Sequence, residues 1–374
     1  MLTAADIKQH ALQIGFDLVG IAPASASKDL EFLPRWLQKG YAGELHYLAD
    51  PRRQDPRRVL PTVQSVICAG LIYNTRLPYS TGSAGDAVSS ETGRTAPARA
   101  WISRYAWGKD YHQVLRDKLE QLRTFINRCA AEAETRVYVD TGPVTERAFA
   151  RLSGIGWMGK NTCVINEQKG SWFFLGVILT DLRLELDLPA PDRCGACTRC
   201  LEACPTGALA EPYMMDASRC ISYFNIELKG TIPEEFRTRM GTNVFGCDIC
   251  QDVCPWNGGD STAQRRVATT DRPEFQPLSV TENRPADAGE TTHFSLYHPP
   301  LAALAAMTEE DFKRAFAHSP IKRAKYRGWL RNLCVAMGNS GDRSFLPWLE
   351  AAANHPDAVV REHASWARRK LQGN

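Results

Sequence analysis

Apolar residues recur every three or four positions between residues 4 and 16, which predicts an amphipathic helix. Two shorter apolar stretches, DLVGIAPA at 17–24 and SVICAGLIY at 65–73, are rich in β-branched residues and predict buried strands. Helical spacing returns in DYHQVLRDKLEQLRTFINRCAAEA, where Asp110 suits an N-cap. TRVYVD then predicts a strand ending at Asp140, and TGPVTERAFARLSG a helix capped near Thr141. WFFLGVILT, at 172–180, is almost continuously apolar, as a central strand covered on both faces would be. This succession predicts an α/β domain over residues 1–185. From about residue 300 the pattern is helical, with breaks at GNSGD and NHPD in the manner of a HEAT-type hairpin, too short to stand without packing on the rest of the chain.

The intervening segments are polar. YLADPRRQDPRRVLP carries Arg52, Arg53, Arg57 and Arg58 between prolines, and reads either as a solvated connector or as a loop lining a site. Residues 79–97 are small, polar and glycine-rich, the composition of a surface loop with little chemistry.

A length of 374 residues predicts two or three domains, each with enough apolar material for a core. The first residues contain no apolar signal core or twin-arginine pair, and no apolar stretch is long enough to span a membrane; a cytoplasmic, non-membrane protein is expected. A net charge of +3 is too small to imply nucleic-acid binding, so that inference has to rest on local clusters of cations.

Eight of the 12 cysteines fall in two runs. Cys194, Cys197, Cys200 and Cys204 precede Pro205 in the C-x-x-C-x-x-C-x-x-x-C-P spacing of bacterial ferredoxins, and Cys220 stands apart from Cys247, Cys250 and Cys254, which precede Pro255. Three closely spaced cysteines wrap one corner of an iron–sulfur cube while the cysteine before proline reaches the neighbouring cube. The expected sets are therefore crossed: Cys194, Cys197, Cys200 and Cys254 for one 4Fe-4S cluster, and Cys220, Cys247, Cys250 and Cys204 for the other. Paired zinc knuckles, the alternative use of C-x-x-C pairs, leave the compact run ending in Cys-Pro unexplained. The other four, Cys68, Cys129, Cys163 and Cys334, read as buried small hydrophobes.

Asp140, at the end of a strand, is either a helix cap or a site residue, since open α/β sheets collect ligands at the carboxyl ends of their strands. GIGWMGKN, at 154–161, follows a helix and lacks the acidic partner of a dinucleotide fold; its glycines suit close approach of the backbone to a flat cofactor or bulky substrate. DYHQVL partly echoes the D-x-H-x-x-G motif of certain cobalamin enzymes, but Leu115 replaces its glycine, so His112 is not expected to ligate cobalt.

SRYAWGKDYH, VYVDTGPVTERAFA, GIGWMGKNT, CGACTRCLEACPTGAL, RCISYFNIELKG and GCDICQDVCPWN, in this order, resemble the epoxyqueuosine reductase family along nearly the whole chain. The resemblance implies an α+β protein: a nitroreductase-like α/β cobalamin domain at 1–185, a two-cluster ferredoxin-like module at 186–260, and a linker with a HEAT-like tRNA-binding region at 261–374. It implies reduction of the epoxide of epoxyqueuosine at the tRNA wobble position, with base-off cobalamin as cofactor and Asp140 as the proton donor. It also implies that Arg53, Ser103, Asn161, Val164, Ser222 and Asp248 line the cobalamin or the nucleoside.

SPIKRAKYRGWLRN places Lys322, Arg323, Lys325, Arg327 and Arg331 among Tyr326 and Trp329 with no acid, and WARRK adds Arg368, Arg369 and Lys370. Cations interleaved with aromatics suit a single-stranded anticodon loop whose wobble nucleoside is splayed out. The other expected partner is a low-potential electron donor such as flavodoxin or ferredoxin, and a monomer is expected. A corrinoid reductive dehalogenase would share the cofactors without needing the basic tail. A non-catalytic electron carrier would not need the long domain preceding the cysteines.

Overall fold

Four strands, in the spatial order Leu18–Pro23, Ser65–Ile72, Phe173–Thr180 and Thr135–Tyr138, form one sheet in the computed structural model, which describes residues 2–25, 28–83, 97–258, 267–281 and 293–373. Every pairing in the sheet is antiparallel. The fold is thus α+β, and the rule that places ligands at the carboxyl ends of parallel strands does not bear on Asp140. The expected strands are present, and Phe173–Thr180 is central, between Ser65–Ile72 and Thr135–Tyr138. Residues 84–96 of the glycine-rich stretch lie outside the described residues.

The strand period of two divides the core. Ile67, Ala69 and Leu71 face Ile7 and Ala11 of the Ala4–Ile14 helix and Leu115, Leu119, Leu122 and Ile126 of the Tyr111–Cys129 helix. Val66, Cys68 and Ile72 face the other way, against Phe149, Val177 and Leu179. Burying each such aliphatic side chain stabilises the fold by about 1.5–3 kcal/mol, so the stripe on the Tyr111–Cys129 helix fixes its rotation. That rotation sets the direction of Tyr111 and His112 in its first turn.

Asp110 caps this helix, as expected, by accepting from the His112 backbone N–H. The next helix starts later than the sequence suggests, at Glu146–Leu152 with Thr145 at the cap position, because residues 140–144 form an irregular turn. Asp140 is therefore not a helix cap.

A third core joins Trp101 and Trp107 with Phe224 and Phe245 from the cysteine-rich region and Trp329, Leu333 and Trp366 from the last helices. The helices Lys325–Ser340, Leu346–Ala352 and Ala358–Gln372 thus pack on the rest of the chain, as their shortness requires. Among the described residues no helix is long and apolar enough to cross a membrane. Cys68 and Cys334 are buried as expected, but Cys129 is exposed at a helix end and Cys163 lies beside Cys250.

Candidate functional site

Asp140 follows the strand Thr135–Tyr138 with φ of 54°, a left-handed conformation that is strained for a residue with a side chain. The turn is tight: Thr141 N–H donates to Val139 O at 2.6 Å. Gly142 permits it, since a Cβ there would lie 2.3 Å from the Tyr138 ring. The turn presents the Asp140 carboxylate, 55% exposed, to the first turn of the Tyr111–Cys129 helix. Asp140 Oδ2 accepts from Tyr111 Oη at 2.8 Å and lies 3.1 Å from His112 Nε2. Behind the imidazole, His112 Nδ1 is 2.7 Å from Asp110 Oδ1, and Lys322 Nζ donates to Asp110 Oδ2 at 2.9 Å.

These contacts set the charges. Burial alone would favour a neutral imidazole, but the carboxylates of Asp110 and Asp140 on either side outweigh it and push His112 up to about 9. The surrounding protein at the mouth of the cleft would raise the Asp140 carboxyl by partial desolvation, but hydrogen bonds from His112 and Tyr111 hold it below the ordinary carboxylate range. The imidazole–carboxylate pair is therefore ionised near neutrality, with the proton on His112. As the His112 value lies above the ordinary 6.5, the charged imidazole contributes fully below that pH while its carboxylate partners stay ionised, and the contribution is lost as pH rises through about 9.

Asp140 opens into a cleft of about 260 Å3 that Tyr47, Asp50, Arg52, Arg53, Thr141, Pro143 and Arg323 also line. Tyr47 lies between two guanidinium groups, 5.5 Å from Arg53 and 5.9 Å from Arg323. Arg53 is buried, donates to Val144 O, and keeps its Nε without a partner. A buried donor of this kind fits an acceptor-rich occupant.

The four cysteines of the first expected set come together. Cys194, Cys197, Cys200 and Cys254 line one cavity of about 250 Å3 together with Lys160, Asn161 and Arg193. Neighbouring thiols also raise one another. Burial pushes Cys254 up to about 12, with Cys194 and Cys200 among the neighbours that add to it. Burial likewise pushes Cys247 well up, with Cys220 and Cys204 adding. Thiols that crowd one another around a common space fit the four-thiolate donor set of an iron–sulfur cube, which binds them deprotonated.

The other residues expected at the cofactor make contacts within the protein scaffold. Ser103 and Asp248 are buried against each other, with Trp101 Nε1 and Arg104 N also donating to Asp248. Gly246 admits the Ser103 side chain, whose Cβ would lie 2.3 Å from a Cβ built at that glycine. Asn161 Nδ2 donates to Cys250 O at 3.1 Å, and Lys160 Nζ donates to Gly195 O at 2.6 Å and Cys197 O at 3.0 Å. GIGWMGKN therefore braces the cysteine loops. Val164 is buried in a core, and Ser222 hydrogen-bonds the Cys220 thiol. Of the residues expected at the cofactor, Arg53 and Asp140 line this cleft and Asn161 lines the cavity of the first cysteine set.

The basic segment divides too. Lys322, Arg323, Lys325 and Arg327 are exposed, with Arg323 paired to Glu227 and Arg327 to Asp357, each at 2.6 Å. Arg331 is only 2% exposed and donates to Phe224 O, Leu228 O and Gly230 O, which makes it a structural brace and not an RNA contact. Trp329 is fully buried, so it offers no face for base stacking. Arg331→Met should cost about 2–4 kcal/mol of stability, because one buried and two half-buried carbonyls lose their donor. Thermal unfolding checks this, and an unchanged melting temperature would contradict it.

Tyr111 and Tyr47 were not singled out by sequence as site residues, and His112 was weighed only as a cobalt ligand and set aside. DYH followed a cap signal, and only its proximity to Asp140 in three dimensions reveals the second role.

Two family models match the chain: epoxyqueuosine reductase QueG, DUF1730, over residues 53–141, and a 4Fe-4S double cluster binding domain over residues 193–257. The epoxyqueuosine reductase of Xanthomonas campestris pv. campestris is 39% identical over 97% of this chain and 95% of its own. That of Pseudomonas aeruginosa is 40% identical over 98% and 94%. A crystal structure of an epoxyqueuosine reductase with an epoxyqueuosine-modified tRNA-Tyr stem loop superposes with a TM-score of 0.81 at 32% identity, covering 98% of this chain and 89% of that one.

Proposed function

The chain belongs to the epoxyqueuosine reductase family, and from that premise we propose that the Asp140 cleft is where the epoxide of a tRNA wobble nucleoside is reduced to an alkene. It is an oxidoreductase with a 4Fe-4S double cluster domain. Membership over nearly the full length sets aside both the dehalogenase and the electron carrier. The observation that carries the reading of the site is the Asp140 carboxylate, held by Tyr111 and His112 in a cleft with three arginines on its walls.

Turning an epoxide into an alkene and water consumes two electrons and two protons. Cobalamin, when bound, supplies a strongly reducing centre, and the clusters supply its electrons. In this reading Arg53 holds polar groups of the cobalamin, and the crossed cysteine sets hold the two clusters. Asp140 passes protons to the departing oxygen. Arg52 and Arg323 neutralise phosphates flanking the extruded nucleoside, and Lys322, Lys325 and Arg327 extend that surface along the RNA. The three regions 1–185, 186–260 and 261–374 correspond to a nitroreductase-like cobalamin domain, the cluster module and a HEAT-like RNA-binding part. A low-potential flavodoxin or ferredoxin supplies electrons in the cytoplasm.

The experiment that tests the RNA surface is binding of tRNA bearing epoxyqueuosine across a range of salt. Arg323→Ala combined with Arg327→Ala should weaken binding and lower the salt slope by about 1–2, as fewer counterions are released. An unchanged slope would place the RNA elsewhere.

A further inference from the structure

We propose that His112 is a positioning residue that holds the proton Asp140 delivers, a two-membered relay into the cleft, and that Asp110, itself held by Lys322, fixes the imidazole from behind. The proposal rests on the reading of Asp140 as the acid. An ionised Asp140 has no proton of its own to give. Its Oδ2 is 3.1 Å from His112 Nε2, the imidazole is held from behind by Asp110, and Asp110 is held by Lys322. The ring is also fixed in plane, stacked on Tyr111 at 4.1 Å, which itself stacks on Phe174 at 4.3 Å.

The balance is simple. Two C–O bonds of the epoxide break and one carbon–carbon π bond forms. The oxygen leaves as water, with two electrons from the low-potential carrier by way of the clusters. Each proton moves from His112 Nε2 to Asp140 Oδ2 and on to oxygen, and solvent recharges the imidazole. The charged and titratable groups that bear on this pair are Asp110 and Lys322 behind it, Tyr111 beside it, and Arg323 on the cleft side of Asp140. Tyr105 packs on Tyr111, and Glu146, pushed up to about 7 by burial, lies near Asp140. Tyr111 itself is kept protonated by burial, so it donates to Asp140 but does not titrate in the working range.

The test is the pH profile of kcat with the complete, cofactor-loaded enzyme, together with an NMR titration of the His112 ring assigned by its loss in a variant. The parent's kcat should fall with an alkaline limb near 9, and the ring should titrate at the same pH. Asp110→Asn keeps a helix-capping residue but removes one of the two carboxylates, so both midpoints should move down by about one unit or more. His112→Gln keeps a hydrogen bond to Asp140 without a titrating proton. It should lower kcat about 10²-fold with KM little changed, and abolish the limb.

A ring midpoint at the ordinary 6.5, or a limb that neither substitution moves, would overturn the relay. A uniform loss of rate at every pH would also overturn it, because a merely structural histidine would behave so. Absence of turnover in the parent would count against the epoxide reading, while the ring titration would still decide the relay.

Discussion

Asp140→Asn should lower kcat by about 10²–10⁴-fold while leaving iron content and melting temperature close to those of the parent. Asparagine is isosteric and can still accept from Tyr111 Oη and face His112, so the turn and its hydrogen bonds need not rearrange. It cannot take up and release a proton, and that is the role that the position between the imidazole and the cleft assigns to the carboxylate. The electrostatics sharpen the expectation: Asp140 rests as an anion, so its part is transfer of the proton and not storage. The check is single-turnover conversion on modified tRNA alongside iron analysis of the same preparation. A variant with full iron and full turnover would remove Asp140 from the chemistry.

The second large effect concerns the cysteines. If the sets are crossed, Cys194→Ala with Cys254→Ala damages one cluster only, leaving about half of the iron, whereas Cys194→Ala with Cys204→Ala damages both. Clusters formed within each run would give the reverse pattern. Both double variants should lose turnover, because electrons from the carrier would no longer reach the cleft through both clusters. Iron content distinguishes the arrangements where activity does not. The cavity shared by Cys194, Cys197, Cys200 and Cys254 leads us to expect the crossed result.

How much of this was legible in the sequence depended on whether the signal was local. The cysteine spacing is a local signal, because ligands two or three residues apart wrap a cube whatever surrounds them, and the 4Fe-4S double cluster domain was legible from it. Strand positions were also readable, since Ser65–Ile72 and Phe173–Thr180 are buried along nearly their whole lengths and so are apolar throughout. Strand direction was not. The antiparallel sheet depends on pairings between distant segments, which apolar runs do not specify.

The basic segment shows the same limit. Lys322, Arg323 and Arg327 are exposed, yet Arg331, one helical turn beyond Arg327, faces inward to buried carbonyls. Composition counts a cation without telling which face it is on. Asp140 was ambiguous for a related reason: a strand-end aspartate before a helix reads as a cap, and only the irregular turn through residue 144 moves the cap to Thr145. The partners Tyr111 and His112 were adjacent in DYH, but their contact with Asp140 spans about thirty residues of chain.

The most direct test of the whole account is anaerobic incubation of cluster-loaded protein with epoxyqueuosine-containing tRNA and a chemical reductant, with and without added cobalamin, followed by mass analysis of the wobble nucleoside. The account predicts loss of one oxygen only when cobalamin is present. Intact epoxide in the presence of loaded clusters and bound cobalamin would contradict it.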